Sequence, residues 1–285
     1  MPVKEPLIGF HVSIAGSIDL AVDRALQAEC TTFQLFTRNP RSWNYKPLVE
    51  DEARTFGEKR AKAGFKSVVV HMPYLPNLGS PDKSVIKKSR ASLTAEVDRC
   101  GKLGVDYLVA HLGSHMGKGT MVGTRNVAEA CNEALDANPN ETTILIENTA
   151  GQRNSVGGRF EELRMILDGV KQQDRVGVCL DTCHVFTSGF DISTPAGVGE
   201  MLRLFDEIVG LRRLKVVHIN DSKGALGSNL DRHEHIGMGR IGEKGFKALL
   251  RHSEITRLPM LMETPQDDRR SDADELAYVR KLIAG

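Results

Sequence analysis

The chain has 285 residues, of which 40% are hydrophobic and 26% charged, a composition ordinary for a globular protein and unlike a disordered one. Its 38 Lys and Arg stand against 37 Asp and Glu, giving a formal net charge of +1. That balance excludes a polybasic non-specific nucleic-acid binder but leaves room for a local basic patch.

Met1-Pro2-Val3-Lys4-Glu5-Pro6 has no basic stretch leading into an apolar one, so no secretory signal is expected. A first strand is predicted at Ile8–Phe10, then a helix at Ser17–Glu29 with Leu20, Ala21, Ala25 and Ala28 at helical spacing. Strands follow at Thr31–Phe36 and Ser67–His71, then a long helix with alternating charges at Asp82–Leu103. A strand at Tyr107–His111 precedes a helix at Val122–Leu135. Thr143–Glu147 precedes Arg159–Val170, and Gly177–Asp181 precedes Pro195–Val209. Val216–Ile219 precedes Gly245–Arg251, and Pro259–Glu263 precedes Asp272–Ile283. Runs such as Val68-Val69-Val70 and Ile144-Leu145-Ile146 suit strands buried on both faces. Eight strands, seven of them followed by a predicted helix, at about 36 residues per unit match a single (β/α)₈ TIM barrel, with an open doubly wound sheet as the alternative. No linker or low-complexity tract interrupts the chain, so residues 1–285 read as one domain. No apolar run approaches the roughly 18 residues of a membrane helix. The five cysteines (Cys30, Cys100, Cys131, Cys179 and Cys183) are an odd, scattered set. They point to buried thiols in a reducing, cytoplasmic setting rather than a disulfide framework.

The ends of six predicted strands carry metal-capable side chains: His71, His111, Glu147, Asp181, His218 and Glu263. Their intervals of 40, 36, 34, 37 and 45 residues follow the period of the barrel. A lone acid or histidine at a strand end is commonly a cap. Six in phase would converge on the C-terminal face of a barrel, where active sites sit. Carboxylates gathered in one mouth repel unless cations neutralise them, and the histidines favour zinc or manganese over magnesium or calcium. Two local pairs can add a further site: Asp181-Thr-Cys-His184, and Asp231-Arg-His233 after the seventh strand. His11, His115 and His235 are candidates for a supporting layer, and His252 reads as a solvated helix residue. Gly237-Met-Gly-Arg-Ile-Gly242 matches the dinucleotide-binding pattern, but no buried strand precedes it, so it reads as a flexible loop. Metals about 3.5–4 Å apart suit in-line phosphodiester displacement. A metal-dependent sugar isomerase or epimerase, or a damage-recognition module with structural metals, are the alternatives.

The chain resembles the endonuclease IV family of apurinic/apyrimidinic (AP) endonucleases. The resemblance rests on His11-Val-Ser-Ile-Ala-Gly16, Gly113-Ser-His115, Ile146-Glu-Asn-Thr-Ala-Gly151, Gly177-Val-Cys-Leu-Asp-Thr-Cys-His184, His218-Ile-Asn-Asp-Ser-Lys223 and Asp231-Arg-His233. It implies a (β/α)₈ barrel with three zinc ions, manganese being an alternative at one site. One zinc would take His71, His111 and a bridging Glu147. A second would take Glu147, Asp181, His218 and Glu263, and the third His184, Asp231 and His233. Glu147 and Glu263 would be catalytic, with a bridging hydroxide as the nucleophile. The implied reaction cuts 5′ to an abasic site, leaving a 3′-hydroxyl and a 5′-deoxyribose phosphate, and removes 3′-blocking groups. The implied partner is double-stranded DNA with abasic sites or blocked 3′ ends, bound by a monomer expected in the cytoplasm and, if the cell is prokaryotic, on the nucleoid. Arg41, Tyr74 and Leu75 would push into the duplex, where unstacking costs least because a base is missing. Trp43, beside Arg41 in a proline-containing loop, suits an interface. Ser222, Lys223 and Arg232 are candidate phosphate contacts. Met72-Pro73 departs from the polar pair of the family pattern, and Pro76 adds a further proline, so the wedge loop can differ in stiffness. Three Zn²⁺ would turn the formal +1 into roughly +7, concentrated at the barrel mouth.

Overall fold

A computed structural model describes residues 5–285, so the first four residues of the predicted signal-free start lie outside the described residues. Eight strands form one parallel sheet: Ile8–Phe10 (β1), Phe33–Leu35 (β2), Val68–His71 (β3), Tyr107–Ala110 (β4), Thr143–Glu147 (β5), Val176–Asp181 (β6), Leu214–His218 (β7) and Met260–Met262 (β10). Their order is β1-β10-β7-β6-β5-β4-β3-β2. A parallel bridge between His11 and Gln34 closes the ring, and the Val12 amide donates to the Gln34 carbonyl at 2.8 Å. The closed ring decides against the open doubly wound sheet.

Helices cover the outside, with the buried α6 set at the mouth instead: Leu20–Gln27 (α1), Glu50–Ala63 (α2), Lys83–Leu103 (α3), Thr120–Ala137 (α4), Phe160–Gly169 (α5), Thr182–Ser188 (α6), Pro195–Ile208 (α7), Gly242–Leu250 (α8), Ser253–Thr256 (α9) and Asp272–Ala284 (α10). Side chains cap several of their starts. Asp82 accepts from the Ser84 and Val85 amides, and Thr194, just before Pro195, accepts from Gly197. Strand alternation divides the core in two. Val68, Val70, Leu108, Ile144, Ile146 and Val178 face out and pack beneath the helices. Val69, Val109, Leu145, Cys179, Val216 and Leu261 face in and fill the barrel as a separate apolar layer. All five cysteines are buried and free.

The predicted strand ends run slightly long, since His111 and Glu263 stand one residue past β4 and β10. The spacing gave no sign of α2, whose only buried side chain is Phe56 and whose other positions are mostly polar. The seven-residue helix α6 and the two-residue antiparallel pair Asp221–Ser222 (β8) and His233–Glu234 (β9) are likewise too short for periodicity to reveal.

Candidate metal centre

The inner apolar layer sets the site. Side chains alternate along a strand, so the residue two beyond an inner one faces the same lumen one level higher. Val69 is thus followed by His71, Val109 by His111, Leu145 by Glu147, Cys179 by Asp181, Val216 by His218 and Leu261 by Glu263. The structure brings all six together.

Glu147 sits at the centre. Its Oε2 lies 3.3 Å from His71 Nε2 and 3.1 Å from His111 Nε2, and its Oε1 lies 3.0 Å from His218 Nδ1. His218 Nδ1 is also 3.5 Å from Glu263 Oε2 and 4.0 Å from Asp181 Oδ2. A neighbouring set is formed by His184, Asp231 and His233. Asp231 Oδ1 lies 3.2 Å from His184 Nε2 and 3.6 Å from His233 Nε2. The ligand atoms of each predicted set, His71/His111/Glu147, Glu147/Asp181/His218/Glu263 and His184/Asp231/His233, lie within 4.8 Å of one another. Cys183 joins Asp181 and His233 in a fourth such group that the sequence reading did not single out.

The spacing of Asp181 and His184 has a local cause. Asp181 ends β6 and caps α6, its Oδ1 accepting the His184 amide at 2.8 Å, so one turn carries His184 back over the carboxylate. The hairpin of β8 and β9 returns the chain to the mouth and delivers His233.

Three imidazoles are oriented by backbone carbonyls. His71 Nδ1 donates to Met72 O at 2.7 Å, His184 Nδ1 to Asn148 O at 2.9 Å and His233 Nδ1 to Glu263 O at 3.1 Å. Each Nε2 is thereby left with a lone pair for the centre. His184 Nε2 and His233 Nε2 are buried with no hydrogen-bond partner. Buried nitrogens turned toward carboxylates without hydrogen bonds of their own fit metal ligands.

Charge makes the same point. Burial pushes the Glu147 carboxyl up, yet His111 and His218 outweigh it and hold it well below the usual range. Glu263 is held to about 2, where burial is overcome by His218 and His71. Asp231 is also held to about 2, burial being overcome by His184 and His233. His184 rises to about 10 because Asp181, Asp231 and Glu147 override its burial. His218 is likewise raised well above its ordinary value against burial, by Cys179, Glu263 and Glu147. The carboxylates stay ionised and demand positive charge, which protons on histidine or metal cations can supply.

The sequence reading missed three uncharged residues. Asn148 Oδ1 accepts the Asp181 amide at 2.7 Å, and its own carbonyl orients His184. Asn220 Nδ2 donates to Asp181 Oδ2 at 2.6 Å, while its Oδ1 accepts the Glu263 amide at 2.8 Å. Gln34 is fully buried on β2 among His11, His218 and Glu263. The two asparagines lie inside quoted motifs; Gln34 lies in none. His11 does support the centre through Gln34, and burial pushes its pKa down to about 4. His235 instead bonds Glu275 and Asp267, His115 accepts the Gly119 amide, and His252 caps α9.

A cavity of about 850 Å³ opens over the centre, with His11, Tyr74, His111, His184, His233 and Glu263 in its wall. Arg41, Trp43, Tyr74 and Leu75 are exposed in the loops after β2 and β3. Tyr74 stands at the rim, its ring 6.2 Å from that of His111 and 5.3 Å from that of Phe36. Met72 is buried and its amide donates to Val109 O at 2.8 Å, so the apolar departure there extends the barrel and leaves Tyr74 and Leu75 outside. Buried ions brace the loop carrying Arg41 and Trp43. Arg38 pairs with Glu96 at 2.5 Å and donates to Ser42 O, and Arg99 donates to Lys46 O. Lys223 and Arg232 are exposed. Ser222 departs from expectation: it is fully buried and its hydroxyl donates to Gly224 O at 3.1 Å, so it shapes the loop instead of facing a phosphate.

The glycine pattern at Gly237–Gly242 also has its explanation. The segment wraps the buried Asp221 carboxylate, which accepts amides from Ser222, Gly237, Gly239, Ile241 and Gly242. A Cβ on Gly239 would stand 2.4 Å from Asp221 Oδ1, so the close approach requires glycine. The loop is an anion nest whose anion is internal. Asp221→Ala strands these donors and is expected to cost about 2–4 kcal/mol, read as a lower urea midpoint at unchanged slope. Wild-type stability would refute the role.

The fold and its mouth define a TIM barrel carrying His/Asp/Glu clusters suited to metal binding, and a family model described as a xylose isomerase-like TIM barrel matches residues 22–282. A protein of Methanoculleus marisnigri called probable endonuclease 4 is 52% identical over 97% of this chain and 98% of its own. An apurinic-apyrimidinic endonuclease of Caenorhabditis elegans is 41% identical over 91% of this chain and 66% of its own. The crystal structure of endonuclease IV from Thermus thermophilus superposes with a TM-score of 0.87 at 36% identity, covering 98% of this chain and 99% of that one. The chain belongs to the endonuclease IV family.

Proposed function

We propose that this protein is a zinc-dependent AP endonuclease of DNA base-excision repair. It is a phosphodiester hydrolase acting on DNA, as its family membership and full-length likeness to endonucleases support. The observation that carries the metal reading is the grouping of nine side chains into three ligand sets, two of which share Glu147. Five of the nine are histidines, a donor set that fits zinc, with manganese an alternative at one site. When bound, three zinc ions would lower the pKa of a water to make a nucleophile and neutralise the phosphate and leaving oxygens.

His71, His111 and Glu147 would hold the first ion, Glu147, Asp181, His218 and Glu263 the second, and His184, Asp231 and His233 the third. The chain's own residues do the rest. Tyr74 and Leu75, with Arg41 from the adjoining loop (the Tyr74 amide donates to Pro40 O at 3.3 Å), enter the duplex at the missing base, and the abasic nucleotide turns out into the cavity. Lys223 and Arg232 meet backbone phosphates and Trp43 covers the neighbouring strand. The bond cut is the one 5′ to the abasic site, leaving a 3′-hydroxyl; 3′-blocking groups enter the same pocket. The protein acts as a monomer in the cytoplasm, on the nucleoid in a prokaryotic cell. No helix of the described residues is long and apolar enough to cross a membrane.

Elemental analysis paired with incision of an abasic duplex tests the reading. About three zinc per chain and a 3′-hydroxyl product are expected. Fully loaded protein that leaves the duplex intact but turns over a keto-sugar would overturn it. Leu75→Ala is expected to weaken abasic-duplex binding about 10- to 100-fold through lost apolar burial, with little change on a frayed 3′-blocked end. Equal losses on both substrates would sink the wedge role.

A further inference from the structure

We propose that Gln34 is a positioning residue that locks His218 in one tautomer and Glu263 in one orientation, and so presets the second metal site. The inference rests on the metal-centre reading above. Six of the eight strand tops supply ligands; the other two, after β1 and within β2, supply His11 and Gln34. Gln34 Oε1 accepts from His218 Nε2 at 2.9 Å. Its Nε2 donates to Glu263 Oε1 at 2.7 Å and to His11 Nδ1 at 3.1 Å. Both amide hydrogens are used on acceptors and the oxygen faces an N–H donor, so a flipped amide would set oxygen against carboxylate and NH₂ against N–H. One orientation is allowed.

The need for an amide here is specific to His218. His71, His184 and His233 rest Nδ1–H on carbonyls of Met72, Asn148 and Glu263 and turn Nε2 inward. His218 is inverted: Nδ1 faces Glu147 Oε1 and Glu263 Oε2, at 3.0 and 3.5 Å, and Nε2 points away from them. The Gln34 side chain takes the part that a backbone carbonyl plays for the other three. The same amide holds Glu263 by one oxygen and leaves Oε2 toward His218. Partners of this kind are typically worth 10- to 100-fold in metal affinity.

Gln34→Met keeps the volume and removes every hydrogen bond; Gln34→Glu keeps the acceptor for His218. In zinc-loaded wild-type protein, where Nδ1 is the nitrogen left for the metal, nitrogen-edited NMR should show a slowly exchanging His218 Nε2–H proton. Gln34→Met should lose that resonance with its melting curve preserved, and Gln34→Glu should retain it. Loaded Gln34→Met should surrender one zinc equivalent to a chelator at about 10- to 100-fold lower concentration than wild type. A persistent resonance in Gln34→Met, its absence from wild type, or equal chelator resistance would overturn the proposal. A wild-type protein that binds no metal would instead overturn the metal-centre reading and, with it, the proposal that rests on it.

Discussion

Glu147→Gln is expected to reduce incision of an abasic duplex by roughly 10⁴-fold or more, equivalent to at least about 5.5 kcal/mol of transition-state stabilisation. Among the described residues, no other side chain belongs to both of the first two ligand sets. Its two oxygens divide between His71 and His111 on one side and His218 on the other. Glutamine keeps the shape but offers one oxygen, and its NH₂ must face an imidazole nitrogen that needs its lone pair for metal. Both shared sites weaken together, while His184, Asp231 and His233 are left whole. Metal content should therefore fall from about three to about one. The barrel should stay folded, because the apolar layer beneath does not involve Glu147. A variant that retains three metals and wild-type cleavage would remove Glu147 from its bridging role.

What the sequence made legible follows from range. The six strand-end ligands could be read because period-two alternation and the barrel repeat both act along the chain, and charged or imidazole side chains at buried strand ends are conspicuous. His184 was readable for a similar local reason, being one helical turn from Asp181. Gln34 was not, because an amide within Phe33–Leu35 carries no signal until His218 and Glu263, distant in sequence, are seen to bond it. Asn148 and Asn220 share that silence. The glycine pattern shows the same boundary from the other side. The missing strand argued against a dinucleotide, but only the fold reveals that the loop's amides serve Asp221. Ser222 was misplaced because the sequence places it beside Lys223 but does not tell which of the two faces inward.

Stripping the metal is expected to give the protein a stability that falls as pH rises through neutrality, and the gap to the loaded protein should widen over the same interval. In the metal-free centre the histidines carry the positive charge. His184 is raised from an ordinary 6.5 to about 10, with His218 and His111 raised as well. A raised histidine stabilises fully below its unfolded value near 6.5, and that contribution is lost as pH climbs toward the folded value. Glu263 and Asp231, held to about 2, give the opposite arm: their contribution is present above the ordinary 4.5 and 3.8 and is lost as pH falls toward 2. Metal-free protein should thus be most stable between about pH 4.5 and 6.5. Its melting temperature should fall by roughly 6–12 °C from pH 6.5 to 9, on the order of 3 kcal/mol. Metal reverses the requirement, since a ligating imidazole must be neutral. Protons and cations compete for the same nitrogens, so affinity grows as pH rises and binding stabilises the fold increasingly. Paired melts of chelated and zinc-loaded protein from pH 6 to 9 measure the difference directly. A constant gap across that range would mean that these histidines are not the groups on which the metal sits.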